Sequence, residues 1–366
     1  MSGVSLCMIV KDESRVIERC LRSVLPWISA WTVVDTGSSD NTPQIVESLL
    51  GHLPGQVHHR PWRNFAENRS EAFTLNRHLG EYHLVIDADD WLEAESDFRM
   101  PALQADCYWL SVCYGGIRYS RPQLFRAALD WRYQGVVHEY AECADAVHSG
   151  SLRGLTYVCS SGQGARSGDA QKYLHDAHLL ETVLQAEPDH PRNWFYLGQS
   201  YRDAGLLEQA ARAYDRRLLL EGWTEERYVA RLERARLGIR LDEPQNEIRA
   251  HLLDALQLNP ARAEGVVELA RLHRLSGHWN LAYFFAAAAV QLDMPQDGLF
   301  LEESCYGWRA LDELALAQFY TGRNAGALRT TQMALEAAPV DQLPRLRRNL
   351  WHCRRRCEGV RNFATL

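Results

Sequence analysis

The sequence lacks the features that would direct the chain into a membrane, out of the cell or onto nucleic acid. No apolar run approaches the length of a membrane span, and residues 1–10 have neither the basic start nor the long apolar core of a signal peptide. The formal net charge of -7 argues against a general nucleic-acid binder. We therefore expect a cytoplasmic protein with no transmembrane segment and no nucleic-acid partner.

Two further features are missing, and each excludes a type of site. The nine cysteines are scattered and odd in number, which indicates reduced thiols rather than a disulfide framework. Neither the G-x-G-x-x-G signature of a Rossmann dinucleotide site nor a P-loop occurs. A bound phosphate would therefore be held by a metal ion and by Lys or Arg side chains, and not by a glycine cradle.

The first part of the chain alternates strands with helices, which predicts a mainly parallel, doubly wound α/β sheet. The strands are predicted at residues 5–10, 31–34, around 57 and at 84–86. Shorter strands at 107–114, 123–126, 135–138 and 155–159 then suggest an antiparallel extension of the same sheet. A polar Gly/Ser stretch follows. We therefore predict an α/β domain at 1–160 and a flexible loop or linker at 161–171.

The remaining residues, 172–366, are predicted to form helical repeats. Trp194, Leu197, Gly198 and Tyr201 fit the W-x₂-L-G-x₂-Y start of a tetratricopeptide repeat. A glycine followed five residues later by a small alanine occurs three times, at Gly205/Ala210, Gly277/Ala282 and Gly322/Ala327. A degenerate repeat is predicted near 225–258 and an irregular segment near 294–305. The fold class is therefore an α/β domain followed by an all-α solenoid.

Acidic residues follow two of the predicted strands. Asp35 ends the second strand, and Asp87, Asp89 and Asp90 end the fourth. In an open α/β sheet the ligand crevice lies at these carboxyl ends. A divalent cation, Mg²⁺ or Mn²⁺, would relieve the repulsion among three close carboxylates. The alternative is a solvated loop whose aspartates cap the next helix.

The motifs together resemble a known family. SLCMIVKDE, VVDTGSSDNT, NFAENRSEAF, VIDADDW, RPQLFR and WRYQGVVHEY, followed by the repeat FYLGQSYRDAG, occur in this order. This combination resembles the bacterial family 2 glycosyltransferases with the GT-A fold that are fused to tetratricopeptide repeats. The resemblance covers almost the whole chain, and it implies transfer of a sugar from a nucleotide diphosphate-sugar donor.

The resemblance implies a donor-binding role for several residues. Asp35 would contact the nucleobase, for which uracil and hence a UDP-sugar is expected, although a turn-forming Asp would look the same. Asp87 and Asp89 resemble the D-x-D element, in which Asp87 faces the ribose and Asp89 the metal ion, Mn²⁺ or Mg²⁺. Arg69 and Lys11 would lie near the nucleotide, with a solvated helix face as the alternative for Arg69.

The resemblance also assigns the acceptor side of the reaction to Val137-His138-Glu139. Inverting transfer needs a base for the acceptor proton. We expect Glu139 to be that base and His138 to be a metal ligand or sugar contact, with the two roles open to exchange. A buried His–Glu pair joining strands is the alternative. Trp131 and Tyr133 would form either a sugar platform or part of the core.

This sequence departs from the family pattern at two places. Ser70 stands where the family usually has Asn, and Ser160-Ser161-Gly162 stands where a His often precedes the glycine. His138 or Arg166 would then have to compensate.

The leading interpretation is a metal-dependent inverting glycosyltransferase whose repeats hold a peptide, protein or glycan acceptor or a partner. The alternatives are a catalytically decayed, repeat-based adaptor and a nucleotidyltransferase, which would usually need a glycine-rich loop where KDESRV stands.

Overall fold

The computed structural model describes residues 3–160 and 171–363, and the chain divides into two units, Met1–Ala186 and Glu187–Leu366. The strands of the first unit are β1 (Val4–Val10), β2 (Ala30–Asp35), β3 (Gly55–His59), β4 (Tyr82–Val85), β5 (Trp91–Ala94), β6 (Cys107–Tyr114), β7 (Ile117–Arg126), β8 (Arg132–Gln134), β9 (Tyr140–Glu142) and β10 (Ser149–Val158). Its helices are α1 (Ile17–Val24), α2 (Thr42–Leu50), α3 (Phe65–Asn76) and α4 (Lys172–Ala186).

The main sheet has the strand order β3-β2-β1-β4-β7-β6-β10-β5. The strands β3, β2, β1 and β4 run parallel to one another, whereas β7 is antiparallel to both β4 and β6. The strand β10 is parallel to β6 and antiparallel to β5. The predicted doubly wound sheet with an antiparallel extension is therefore confirmed.

The parallel strands are covered on both faces, as their apolar runs predict. On one face of β1, Leu6 and Met8 pack in the same cluster as Ile17 and Leu21 of α1. On the other face, Cys7 belongs to a second cluster that includes Ala72 and Phe73 of α3. Because successive side chains of a strand point to opposite faces, one strand serves both layers. The sheet is thereby fixed between α1 and α3.

One predicted strand is wrong. Residues 135–138 form the turn between β8 and β9, a two-stranded antiparallel ribbon. Gly135 has a φ of 98° and His138 a φ of 53°, which are left-handed values that an extended strand does not contain. The apolar pair Val136-Val137 produced the false strand signal. The structure also contains β5, which the sequence reading missed. The predicted linker lies outside the described residues except for Gln171, and so do Ser161, Gly162 and Arg166.

The second unit is an array of antiparallel helices. Its elements are α5 (Pro191–Asp203), α6 (Leu207–Leu218), α7 (Thr224–Arg240), α8 (Gln245–Leu258), α9 (Ala263–Leu275), α10 (Trp279–Ala289), the short strand β11 (Leu301–Glu302), α11 (Trp308–Tyr320), α12 (Asn324–Ala337) and α13 (Leu343–Phe363). Each helix packs against the next, from α5 to α13. This confirms the predicted tetratricopeptide-like solenoid, including the degenerate pair α7 and α8.

The recurring glycines end the first helix of three pairs. Gly205, Gly277 and Gly322 have φ values of 80°, 73° and 78°, the left-handed conformation typical of a helix C-terminus. The paired alanines are buried. Inside α5, Gly198 lies so close to Tyr214 of α6 that an added Cβ would stand 2.9 Å from the ring. The repeat signature therefore marks real close contacts between helices.

A chain of ion pairs links the first helices of successive repeats. Arg202 of α5 lies 2.8 Å from Glu233 of α7, which also pairs with Arg236 at 2.9 Å. Arg236 then contacts Glu268 of α9 at 3.1 Å, and Arg309 of α11 contacts the same carboxylate at 3.0 Å. We call these five residues the charge ladder. Because each acid lies between two arginines, the ladder crosses four helices without leaving a buried carboxylate unpaired.

The irregular segment between α10 and α11 is anchored by Arg262, whose side chain is fully buried. Its guanidinium donates to the Leu299 carbonyl at 2.8 Å and forms ion pairs with Glu225 at 2.8 Å and Glu264 at 2.9 Å. Glu264 also accepts from the Glu302 backbone amide at 3.0 Å. The segment therefore belongs to the packed interior of the helical unit.

Candidate active site at the strand ends

Two loops, at the carboxyl ends of β1 and β2, are joined by hydrogen bonds. The Asp12 carboxylate accepts from the Ser39 amide at 2.6 Å, and the Ser14 amide donates to Asp40 at 3.1 Å. Asp40 also accepts from the Thr42 amide and hydroxyl. Although partial burial acts in the opposite direction, the hydrogen bonds from Ser14 and Thr42 lower the pKa of Asp40 to about 2. These bonds fix the loop that begins at Asp35.

Asp35 is buried and already has two partners. One carboxylate oxygen accepts from the Ser38 amide at 3.0 Å, which is the turn-forming contact considered for this residue. The other lies 2.9 Å from Nδ1 of His59 at the end of β3. No sequence pattern singled out His59 as a neighbour of Asp35. Lys11, at the end of β1, is exposed.

Asp87 lies between two arginines. Arg69 of α3 is bonded to one carboxylate oxygen, and Arg121 of β7 lies 3.9 Å from the other. The hydroxyl of Tyr157 on β10 accepts from the Asp87 amide at 3.1 Å, and the Arg121 guanidinium stacks on its ring at 4.6 Å. Burial alone would raise the pKa of Asp87, but Arg69 and Arg121 hold it below its ordinary value.

Asp89 and Asp90 are both bonded to Ser160, which follows β10. The Ser160 hydroxyl donates to Asp89 at 2.9 Å, and its amide donates to Asp90 at 2.8 Å. Arg19 of α1 supports the same turn by donating to the Asp89 carbonyl at 2.7 Å. Asp90 is buried; this burial and the nearby Asp87 carboxylate raise its pKa to about 6.

Glu139 reaches the same cluster through Arg69. Its carboxylate lies 2.8 Å from Arg69 Nε, an ion pair without hydrogen-bond geometry, and both side chains are 13% exposed. Arg69 therefore joins Asp87 and Glu139. His138 lies on the exposed turn between β8 and β9. The structure thus brings together Asp87, Arg69 and Glu139 from three distant parts of the sequence.

The aromatic residues near Glu139 belong to the core. Trp131 packs against Phe125 with ring centroids 5.0 Å apart, and Tyr133 stacks on Phe73 at 5.3 Å. Ser70, which replaces the usual Asn, accepts from the Tyr133 amide at 2.9 Å. The serine therefore ties α3 to β8 and holds the ribbon that carries Glu139.

The sequence reading missed three residues at this site: Arg121, Tyr157 and Ser160. Arg121 belongs to the RPQLFR motif, and a charged residue in a strand next to a buried face is a signal that could have identified it. Gln123, with its amide oriented to donate to the Val85 carbonyl at 3.1 Å, accepts from Arg121 Nε at 2.8 Å. Arg121 is therefore held in place near Asp87.

No group of three His, Cys, Asp or Glu residues within 3–160 and 171–363 is arranged to hold a metal ion. Asp89 offers one partly exposed carboxylate whose contact with Ser160 is a single hydrogen bond. Mg²⁺ typically binds one or two carboxylates together with substrate phosphates and waters. The residues present therefore fit a metal ion that arrives with a diphosphate, and they do not form an all-protein metal site.

The first part of the chain matches a known protein family. Residues 5–152 match the family model described as Glycosyl transferase family 2. This match confirms the resemblance predicted from the motifs and covers every strand from β1 to β9. In the described part of the chain, no helix has both the length and the apolar character needed to cross a membrane.

Two curated relatives extend the comparison. A TPR repeat-containing protein of Synechococcus elongatus is 36% identical over 151 residues, which is 39% of this chain and 36% of that protein. The glycosyltransferase SunS of Bacillus phage SPbeta is 25% identical over 224 residues, which is 57% of this chain and 50% of that protein. The matched region therefore spans half or less of each relative.

Among solved structures, the chain is similar to helical proteins. The crystal structure of MamA shares 21% identity at a TM-score of 0.38 and covers 46% of this chain and 86% of that one. YrrB, described as a TPR protein with an unusual peptide-binding site, shares 13% identity at a TM-score of 0.38 and covers 47% of this chain and 81% of that one. The repeat assignment depends on the helices and glycines described above, because these scores are low.

Proposed function

We propose that the chain, whose N-terminal domain matches the family 2 glycosyltransferases, is a metal-dependent inverting glycosyltransferase. Its donor would be a nucleotide diphosphate-sugar. The observation that supports this most directly is the cluster of Asp87, Arg69 and Arg121, with Asp89 two residues further on. Two guanidinium groups beside a crevice that contains carboxylates can bind a metal–diphosphate, which carries both charge signs.

The donor would be held from both sides of the crevice. Asp35 and Lys11 would lie at the base, for which uracil remains our expectation, and Asp87 at the ribose. Asp89 would hold Mn²⁺ or Mg²⁺ together with the diphosphate, and His138 is the candidate for a further ligand or sugar contact. When bound, the metal supplies Lewis-acid stabilisation of the leaving diphosphate. Arg69 and Arg121 would add positive charge at the same oxygens.

Glu139 would accept the proton of the acceptor. A general base must lie within hydrogen-bond reach of that proton, so its carboxylate must be oriented before the acceptor arrives. The ion pair with Arg69 provides this orientation. The acceptor is proposed to be a peptide, protein or glycan, with the helical repeats contributing to its binding.

The function is tested by measuring UDP binding, with and without Mn²⁺, as a shift of the thermal unfolding temperature. At a UDP concentration about 100 times Kd, binding should stabilise the protein by about 2.7 kcal/mol. We expect stabilisation that requires Mn²⁺ in the native protein and that is lost in Asp89→Asn. Asp145→Asn is the matched control, because Asp145 is exposed on the loop before β10. Equal stabilisation of Asp89→Asn would refute the metal assignment.

A repeat-based adaptor with an inactive catalytic domain is the second candidate. It is favoured by Asp87, whose carboxylate is already satisfied by Arg69 and Arg121 and so needs no ligand. An adaptor need not bind any nucleotide. Failure of UDP, GDP and CDP alike to stabilise the protein, with or without Mn²⁺, would favour this alternative over the transferase.

A further inference from the structure

The last helix carries an exposed basic surface. Trp351 of α13 lies three or four residues from each of Arg347, Arg348, Arg354 and Arg355. This spacing places them on one face of a helix. All five are exposed, Trp351 to 51%, and the Arg355 guanidinium lies over the Trp351 ring at 4.6 Å. We call these five residues the terminal ridge.

The orientation of the ridge is fixed by the opposite side of α13. Leu346 and Cys353 are buried there, and α13 packs against α12. Arg345 pairs with Asp312 of α11 at 2.8 Å, and the Arg356 guanidinium lies over the Phe319 ring at 4.6 Å. These contacts hold the helix by its inner side, so that the ridge faces outward.

The arginines of the ridge differ from the arginines that hold the helical unit together. Those of the charge ladder, and Arg262 and Arg274, all pair with carboxylates. Within the described residues, no carboxylate forms an ion pair with any of the four ridge arginines. The segment from Leu343 to Glu358 has six arginines and one glutamate, in a chain whose formal net charge is -7. The positive charge is therefore concentrated here and unbalanced.

We propose that the terminal ridge docks the protein on a bilayer surface that contains anionic phospholipids. The ridge is the outer side of a helix, so it offers no groove that would enclose a peptide or a nucleic-acid strand. A flat anionic surface can contact four guanidinium groups at once, and each positive charge near such a surface adds to the attraction. The indole of Trp351, apolar with a polar edge, suits the headgroup region.

Vesicle flotation tests the proposal. The native protein is expected to float with vesicles of phosphatidylcholine and phosphatidylglycerol, to stay in solution with phosphatidylcholine alone, and to be released by salt. Replacing the four ridge arginines by Gln should lower partitioning on the order of a hundredfold or more, given the value of each charge. Trp351→Ala should lower it by a smaller factor and leave the salt dependence unchanged.

The control removes the same charge elsewhere. A variant with Arg22, Arg99, Arg212 and Arg240 replaced by Gln, all of them exposed, should float like the native protein. Thermal unfolding of each variant verifies that it folds. Equal flotation of the ridge variant, or no flotation of the native protein, would refute the proposal. So would ridge-dependent binding of RNA or polyglutamate in place of vesicles, or a ridge-dependent dimer in light scattering.

Discussion

At the scale of single residues, Asp90 makes the candidate site sensitive to pH. Its pKa is about 6 in the folded protein and 3.8 in the unfolded reference, so the folded state binds the additional proton between these values. Stability contributed by this proton is present below pH 4 and decreases as the pH rises towards 6.

Asp90→Asn should therefore stabilise the protein at pH 7 by roughly 3 kcal/mol, since the amide is neutral and its oxygen can still accept from Ser160. The difference between the two proteins should shrink towards pH 4. Urea unfolding at pH 4 and pH 7 measures both differences. If the difference between the variant and the native protein were the same at pH 4 and pH 7, the pKa of Asp90 would not be raised by folding.

Glu139 is expected to affect turnover more than donor binding. Glu139→Gln removes the base but keeps the size of the side chain, so we expect hydrolysis of a UDP-sugar to fall by about 10²–10⁴-fold. The Kd of UDP should change only a few-fold. Glu142→Gln on the exposed side of β9 is the control. A large loss of UDP affinity with unchanged turnover would instead make Glu139 a donor-binding residue.

The candidate site also shows what residue spacing could and could not reveal. Asp87 and Asp89 were found because they directly follow a buried strand. Arg121 lies on β7, Tyr157 on β10 and Ser160 just after β10, and they were missed because the positions of these strands relative to β4 depend on the order of strands in the sheet. In the sheet β7 neighbours β4, although β5 and β6 lie between them in sequence. The periodicity of local residues does not predict this order.

At the scale of secondary-structure elements, the packing of α5 on α6 depends on Gly198. An added Cβ would lie 2.9 Å from the aromatic ring of Tyr214, which is fully buried and cannot move freely. Gly198→Ala should therefore lower the free energy of unfolding by about 1–3 kcal/mol.

The matched control is Gly326→Ala in α12. There the new Cβ would meet the flexible end of Gln318 at 3.2 Å, and alanine has the higher helix propensity. We expect this variant to be as stable as the native protein or slightly more stable. Equal losses in both variants would mean that the contact with Tyr214 is not responsible.

The elements themselves were predicted where periodicity was strong. The strands β1, β2 and β4 were predicted from apolar runs, and the helical pairs from the glycine offsets. The prediction failed where conformation depends on individual φ values. Val136 and Val137 favour a strand, but the left-handed residues on either side of them, Gly135 and His138, form a turn.

At the scale of the whole molecule, the buried charges of the helical unit were not predicted. An arginine such as Arg262 is usually solvated, yet its side chain is fully buried here. It is surrounded by the carboxylates of Glu225 and Glu264 and by the carbonyls of Leu299 and Phe300. Long-range partners of this kind come from stacking of repeats, which local patterns do not describe.

Arg262→Met should destabilise the protein by about 3–5 kcal/mol, because it leaves the buried Glu264 and the partly buried Glu225 without their cation. Cleavage by a protease within residues 294–305 should also become faster. Arg271→Met should cost about 1 kcal/mol or less, because Arg271 is 38% exposed and Glu268 keeps its pairs with Arg236 and Arg309. Denaturant unfolding and limited proteolysis distinguish the two. A small loss for Arg262→Met would mean that the segment is held by its apolar contacts instead.

The charge ladder limits how this array could have changed in evolution. Repeat proteins commonly gain and lose units by duplication and deletion, since each unit contacts only its neighbours. Here Arg202, Glu233, Arg236, Glu268 and Arg309 alternate in sign across four helices. Deleting the unit that carries Glu233 and Arg236 would place Arg202 beside Glu268 and so keep opposite charges in contact, whereas replacing Glu233 or Arg236 alone would leave like charges facing each other. The ladder therefore tolerates loss of a whole unit, which removes one charge of each sign, more readily than loss of a single charge.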